Sequence, residues 1–200
     1  NTALGFEALE RFRNGSYNTA LGTDTGEYIA DGSYITLVGA YAGRYATGSY
    51  NTFVGYQAGL GGTTSAPFSS GTSNTGVGYE ALKGFTTSIH NVAVGLSSMR
   101  DNTTGNYNTA LGNNSMRDNT TGGANTALGY AAGFSLDGGS YNVIVGNGAG
   151  YSLAGVSNCI LIGDQAGELI NSTDANGTVV IGHEAGKVIT SGQRNVLMGY

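Results

Sequence analysis

The 200-residue chain has one Pro (Pro67), one Cys (Cys159) and few charges, Asp, Glu, Lys and Arg together making up 10% of it. Each scarcity excludes something. A lone Cys rules out a disulfide framework and a paired-cysteine metal site. The near absence of Pro, with Gly not recurring at every third residue, rules out a collagen triple helix. Eight Lys plus Arg against 13 Asp plus Glu leave a net charge of −5, a poor balance for nucleic acid, so no nucleic-acid partner is expected. No apolar run approaches the roughly 18 residues of a membrane-spanning helix, so no membrane insertion is expected. Charge-driven disorder is excluded too, because 40% of the residues are hydrophobic.

What is abundant is glycine, 36 residues, and it is periodic. Blocks of the Asn-Thr-Ala-Leu-Gly type end at Gly5, Gly22, Gly39, Gly55, Gly78, Gly95, Gly112, Gly129, Gly146, Gly163, Gly182 and Gly199. Nine of the eleven spacings are 16 or 17 residues; the others are 23 and 19. The segment Ser98–Gly105 recurs intact as Ser115–Gly122. A period held over a whole chain means a solenoid or repeat array.

Within each block the residue before the anchor glycine is aliphatic, and two residues earlier stands Thr or a β-branched aliphatic, as in Thr36/Val38 and Val92/Val94. Period two with β-branched residues is strand patterning. The residue between them is also apolar or Gly, and no block carries a charge, which predicts strands buried on both faces. Beyond the anchor a small residue recurs (Ala8, Ala42, Ala58, Ala81), then Gly or a large apolar group (Gly43, Gly59, Leu82, Met99). This reads as a tight corner leading to a second short segment, with Gly-Ser-Tyr at Gly15, Gly32, Gly48 and Gly139 as the return corner. No apolar stripe of period 3.6 supports a helix. The fold class expected is all-β, a parallel β-solenoid of about twelve 17-residue coils forming one array over residues 1–200, with Asn and Thr ladders along its length. Covering the second apolar strand face calls for other copies of the chain, and a parallel homotrimer fits the small Ala residues.

Blocks of the form NTALGxxAG, such as Asn125–Gly133 and Asn51–Gly59, resemble the repeats of bacteriophage tail-fibre and related adhesin-like proteins. They are also similar to the head repeats of trimeric autotransporter adhesins, and the resemblance covers essentially the whole chain. It implies a trimeric left-handed parallel β-roll, an extracellular, cell-surface or virion location, and a role in attachment to a glycan or protein receptor. The coils here are longer than typical autotransporter head coils. No coiled-coil stalk, membrane anchor or self-cleaving chaperone domain lies within these residues. No polar cap is visible at either end, so the chain reads as an excerpt of a longer array.

Candidate sites are few. The 23-residue spacing holds an inserted loop at about 60–73, with Pro67 beside Phe68; insertions in solenoids project from one face and often bind. The recurring tyrosines (Tyr17, Tyr34, Tyr50, Tyr107, Tyr141, and Tyr56, Tyr79, Tyr130) read as packing, with a sugar-stacking stripe as the alternative. Asp24, Glu27 and Asp31 fall in one coil and read as surface charge, with a cation site as the alternative. His90 and His183 lie in different coils, so no metal and no cofactor are expected. Cys159 reads as a small buried side chain in the Asn column. The sequons at Asn102 and Asn171 follow from Asn/Thr richness. There is no GxSxG, no HExxH and no singled-out carboxylate pair, so no enzyme is expected. Ice binding wants a regular Thr-x-Thr row; here Thr gives way to Val92, Val143, Ile160, Val179 and Val196. The function expected is a structural shaft or adhesin segment of a fibre, with a self-assembling filament as the alternative.

Overall fold

The structure, a computed structural model, describes residues 1–170 and 173–200. It is a parallel β-solenoid of about eleven turns with roughly 17 residues per turn. Twelve three-residue strands form one sheet: β1 (Thr2–Leu4), β2 (Thr19–Leu21), β3 (Thr36–Val38), β4 (Thr52–Val54), β5 (Thr75–Val77), β6 (Val92–Val94), β7 (Thr109–Leu111), β8 (Thr126–Leu128), β9 (Val143–Val145), β10 (Ile160–Ile162), β12 (Val179–Ile181) and β14 (Val196–Met198). Each pairs in register with the strand one coil on, Thr109 with Thr126 and Leu111 with Leu128. At the usual spacing of about 4.8 Å per strand the sheet runs for about 50 Å. No helix among the described residues is long and apolar enough to cross a membrane.

The anchor glycines end the strands. All twelve have φ between 124° and 144°, a region essentially closed to residues with a Cβ. They also stack: a Cβ on Gly95 would stand 2.6 Å from the carbonyl carbon of Gly112. Invariance at this position therefore has two causes, backbone conformation and the close approach of the next coil.

Beyond the anchor the expected corner and second segment prove to be a ribbon of overlapping turns. In the third coil Ala42 N–H donates to the Gly39 carbonyl and Arg44 N–H to that of Tyr41. The third residues of these turns, Tyr41 and Gly43, have φ of 60° and 57°, as type II turns require. Among the described residues a second sheet forms only between β11 (Leu169–Ile170) and β13 (Val188–Ile189). The other turn N–H groups bond across coils, as Gly43 N–H does to the Ala58 carbonyl. A strand cannot run here, because in each turn the third residue, Gly or not, is held at positive φ.

The core lies between the strand and the turn ribbon. Only the central residue of each strand enters it; Leu37, Phe53, Ile144 and Leu161 are fully buried there. The turn side answers by volume. Opposite Leu37 and Phe53 stand Gly43 and Gly59, where a Cβ would collide with those side chains. Opposite Gly76, Ala93 and Ala110 stand Leu82, Met99 and Met116, all buried. These three accept φ near +50°, at about 1 kcal/mol of strain each, because they fill the space the small strand residue leaves.

Burial on both strand faces is not what a single chain shows. Residues flanking each strand centre point away from the core, and Val94, Leu111 and Leu128 remain 37%, 37% and 48% exposed. With three residues per strand, alternation places one side chain inward and two outward.

Candidate functional site

The Asn column is the most regular polar feature. Asn108 Nδ2 donates to the Gly122 carbonyl at the return corner, and Asn108 Oδ1 accepts the Asn125 backbone N–H of the next coil. Asn74, Asn91, Asn125 and Asn142 repeat the arrangement. Each buried amide thus satisfies an N–H that would otherwise be orphaned and donates to a carbonyl of the return corner, which at Gly105 and Gly122 accepts from Asn102 and Asn119 as well. The acceptor still serves where the next residue is not Asn: Asn142 Oδ1 accepts from Cys159 N–H. Cys159 is buried, as its column position predicts, and burial pushes its thiol pKa up. Asn102 is buried and bonded to Gly105 and Asn119, so that sequon is inaccessible in the fold; Asn171 lies outside the described residues.

The outward strand face carries Thr or an aliphatic residue at one column and only aliphatics at the other, from β1 to β14. No charge interrupts it. It runs uninterrupted along the sheet.

Tyrosines line a neighbouring edge. Tyr17, Tyr34 and Tyr50 stack with ring centroids 5.0 and 5.2 Å apart and planes within 16° of parallel, and His90 stacks on Tyr107 at 5.1 Å. All are exposed. Face-to-face stacking along the rod turns ring edges outward, so inner rings have no free face for a sugar.

The inserted loop leaves the wall after Gly62 and rejoins it at Ser69, whose N–H donates to the Tyr45 carbonyl. Pro67 is exposed. Phe68 is half-buried, its ring 4.9 Å from that of Tyr28 and 5.9 Å from that of Tyr45. Arg11 lies 4.4 Å from the Tyr28 centroid, and Arg44 within 5.4 Å of those of Tyr41 and Tyr45. The loop therefore packs back on the second and third coils beside a cluster of charge.

That cluster corrects the surface-charge reading of Asp24 and Glu27, for both are buried. Arg44 Nε donates to Glu27 Oε2 at 2.6 Å, and Arg44 Nη2 lies 3.6 Å from Asp24 Oδ2. Asp31 stands apart, accepting from Asn14 Nδ2. Its place is taken by Glu7, one coil earlier; carboxylate oxygens of Glu7, Asp24 and Glu27 lie within 4.8 Å of one another. Burial first, then the charges of Glu10, Asp24 and Glu27, raise the Glu7 pKa above its ordinary value. Glu7 and Arg44 were missed because residues were grouped along one coil. Counting in steps of 17 would have found them. His183 Nδ1 lies 3.1 Å from Asp164 Oδ2, and no third ligand joins it among the described residues.

No known family model, curated protein or solved structure matches this chain.

Proposed function

We propose that the chain is a structural shaft or adhesin segment of an extracellular or virion fibre, assembled as a parallel homotrimer, that mediates or presents attachment to a cell surface. The observation that carries this reading is the uncharged Thr/aliphatic face running the length of the sheet. An apolar surface that long calls for a protein partner, and a second and third copy in register offer faces of the same length and character. The reading assigns the chain no catalytic role; a glycan or protein receptor is met by the fibre it belongs to.

Mass measurement in solution, with electron microscopy of the same sample, tests it. The expected result is a trimeric rod that falls to monomer when Val94→Lys and Leu111→Lys are combined, with the β-rich circular dichroism retained. A compact stable monomer of the unaltered chain would overturn the trimer. Indefinite uniform fibres would replace the shaft by a self-assembling filament.

A further inference from the structure

The turn ribbon holds two neighbouring columns, two and five residues after each anchor. Beyond the first two coils only Glu80, Glu168 and Glu184 stand there, and each has a base beside it, Lys187 lying 3.4 Å from Glu168. Glu80 is bonded to Lys83 at 2.7 Å and Glu184 to Lys187 at 2.9 Å, each pair within its own coil. In the first two coils both columns are acidic: Glu7 with Glu10, and Asp24 with Glu27. Stacking coil on coil brings these four carboxylates together, and only Arg11 and Arg44 stand against them. The local balance is two negative charges in excess.

Two details show that the arginines do not complete the cluster. Asp24 is 8% exposed, yet its Oδ1 has no hydrogen-bond partner. Glu7, half-buried on the wall, has neither an ion pair nor a side-chain hydrogen bond among the described residues. A buried carboxylate oxygen without a donor is costly unless a cation meets it.

We propose that Glu7, Asp24 and Glu27 bind a hard divalent cation of the calcium class. Their oxygens lie within 4.8 Å of one another. Calcium–oxygen bonds of about 2.3–2.6 Å span up to about 5 Å between two ligands, so every pair of the three lies within the span of one ion, and small side-chain rotations draw the third ligand in. An all-carboxylate donor set selects hard cations over zinc or copper, and water fills the coordination positions left open toward solvent. Magnesium, with shorter bonds and a reluctance to shed water, fits less well. Bound there, the ion ties the first coil to the second by side chains where the columns would otherwise repel.

Terbium stands in for calcium and is excited through a nearby tyrosine; Tyr28 follows Glu27 directly. The whole chain titrated with Tb³⁺ is expected to give saturable sensitised emission, reversed by Ca²⁺ at lower concentration than by Mg²⁺. Glu7→Gln and Asp24→Asn are each expected to raise the half-saturating concentration about tenfold or more, because affinity follows the ligand charge count. Glu80→Gln, at the same turn position beside Lys83, is expected to leave it unchanged. Absence of emission from the unaltered chain, or emission unaffected in the Glu7→Gln/Asp24→Asn double variant, would overturn the proposal. If circular dichroism shows that Asp24→Asn does not fold, Glu7→Gln alone decides, since Glu7 is not in the core.

Discussion

Each coil has a strand side and a turn side, and the two obey different rules. On the strand side the same residues recur because the same backbone constraints recur: an anchor glycine at φ of 124–144° against the next anchor, and an amide that meets the main chain of the next coil at two points. On the turn side the backbone is as regular, but the side chains vary widely. Leu82 and Gly59 occupy equivalent places, as do Asp24 and Ala131. Large turn residues stand opposite Gly76, Ala93 and Ala110 and Gly opposite Leu37 and Phe53, while Ala20 and Ala127 face Gly26 and Gly133, where Leu37 and Ile144 of the next coil reach in. Regularity of backbone thus demands identity only where atoms of the main chain meet one another.

The comparison is broken most directly by giving both sides a methyl group. Gly112→Ala places a Cβ inside contact distance of the Gly129 backbone, at φ of 140°, and is expected to cost about 3–5 kcal/mol, the range of severe backbone and packing defects. Gly148→Ala on the turn side meets only the flexible Gln165 side chain at 3.6 Å, at φ of 59°, and should cost about 1 kcal/mol. Thermal or chemical unfolding of the two variants measures the gap; equal losses would erase the distinction.

A smaller effect sharpens it with polar groups. Asn108→Ala leaves the Asn125 N–H without a partner in a buried site and removes one of the two amides, Asn108 and Asn119, that donate to the Gly122 carbonyl, a loss of about 1–3 kcal/mol. Asn102 and Asn119 lie on the turn side, where Leu136, Leu153 and Ile170 fill the same column in other coils. Replacing both by Leu should be near neutral or stabilising, since both partners of one buried amide contact leave together and Asn119 Oδ1 has no partner now. Urea unfolding midpoints distinguish the two outcomes.

The smallest effect separates two regions of the turn side by pH. A hydrogen bond and charge from Lys187 hold the Glu184 pKa below its ordinary 4.5, so the pair's stabilisation is present above that pH and fades as pH falls through the lowered value. The Glu7 pKa is raised, so its contribution is favourable below 4.5 and is lost as pH rises through the raised value. Acidification should therefore loosen the turn at 184–187 and relieve the turn at 7–10. Amide exchange of these two segments, followed across the carboxylate range, reads the opposite signs directly.

The strand side was legible in the sequence because identity at a fixed spacing needs no knowledge of shape; every strand of the twelve-stranded sheet lies within its expected block, and the buried Asn ladder stands where the repeat placed it. The outward strand face is apolar in the sequence and exposed in the single chain, since apolar character alone does not say whether the core or another copy covers a face. On the turn side the signal was present but spread over two positions. That Phe53 excludes a side chain at Gly59 becomes visible only once a coil is known to fold six residues back on itself. Likewise Glu7, Asp24 and Arg44 are neighbours in a lattice of coils, not along the chain. The contact of Phe68 with Tyr28 and Tyr45 carries no such signal, because the insertion interrupts the period that would reveal it.

Hydrogen bonds that run from each coil to the next lie along the rod, and this sets how it bears load. A pull along the axis stresses those bonds end-on, one coil boundary at a time. When a boundary fails, the freed coil pays out about 17 residues of chain, roughly 55–60 Å when fully extended, where about 4.8 Å of rod had been. The rod would then yield in steps of one repeat, and its tether would lengthen by more than tenfold per coil before the covalent chain itself is strained.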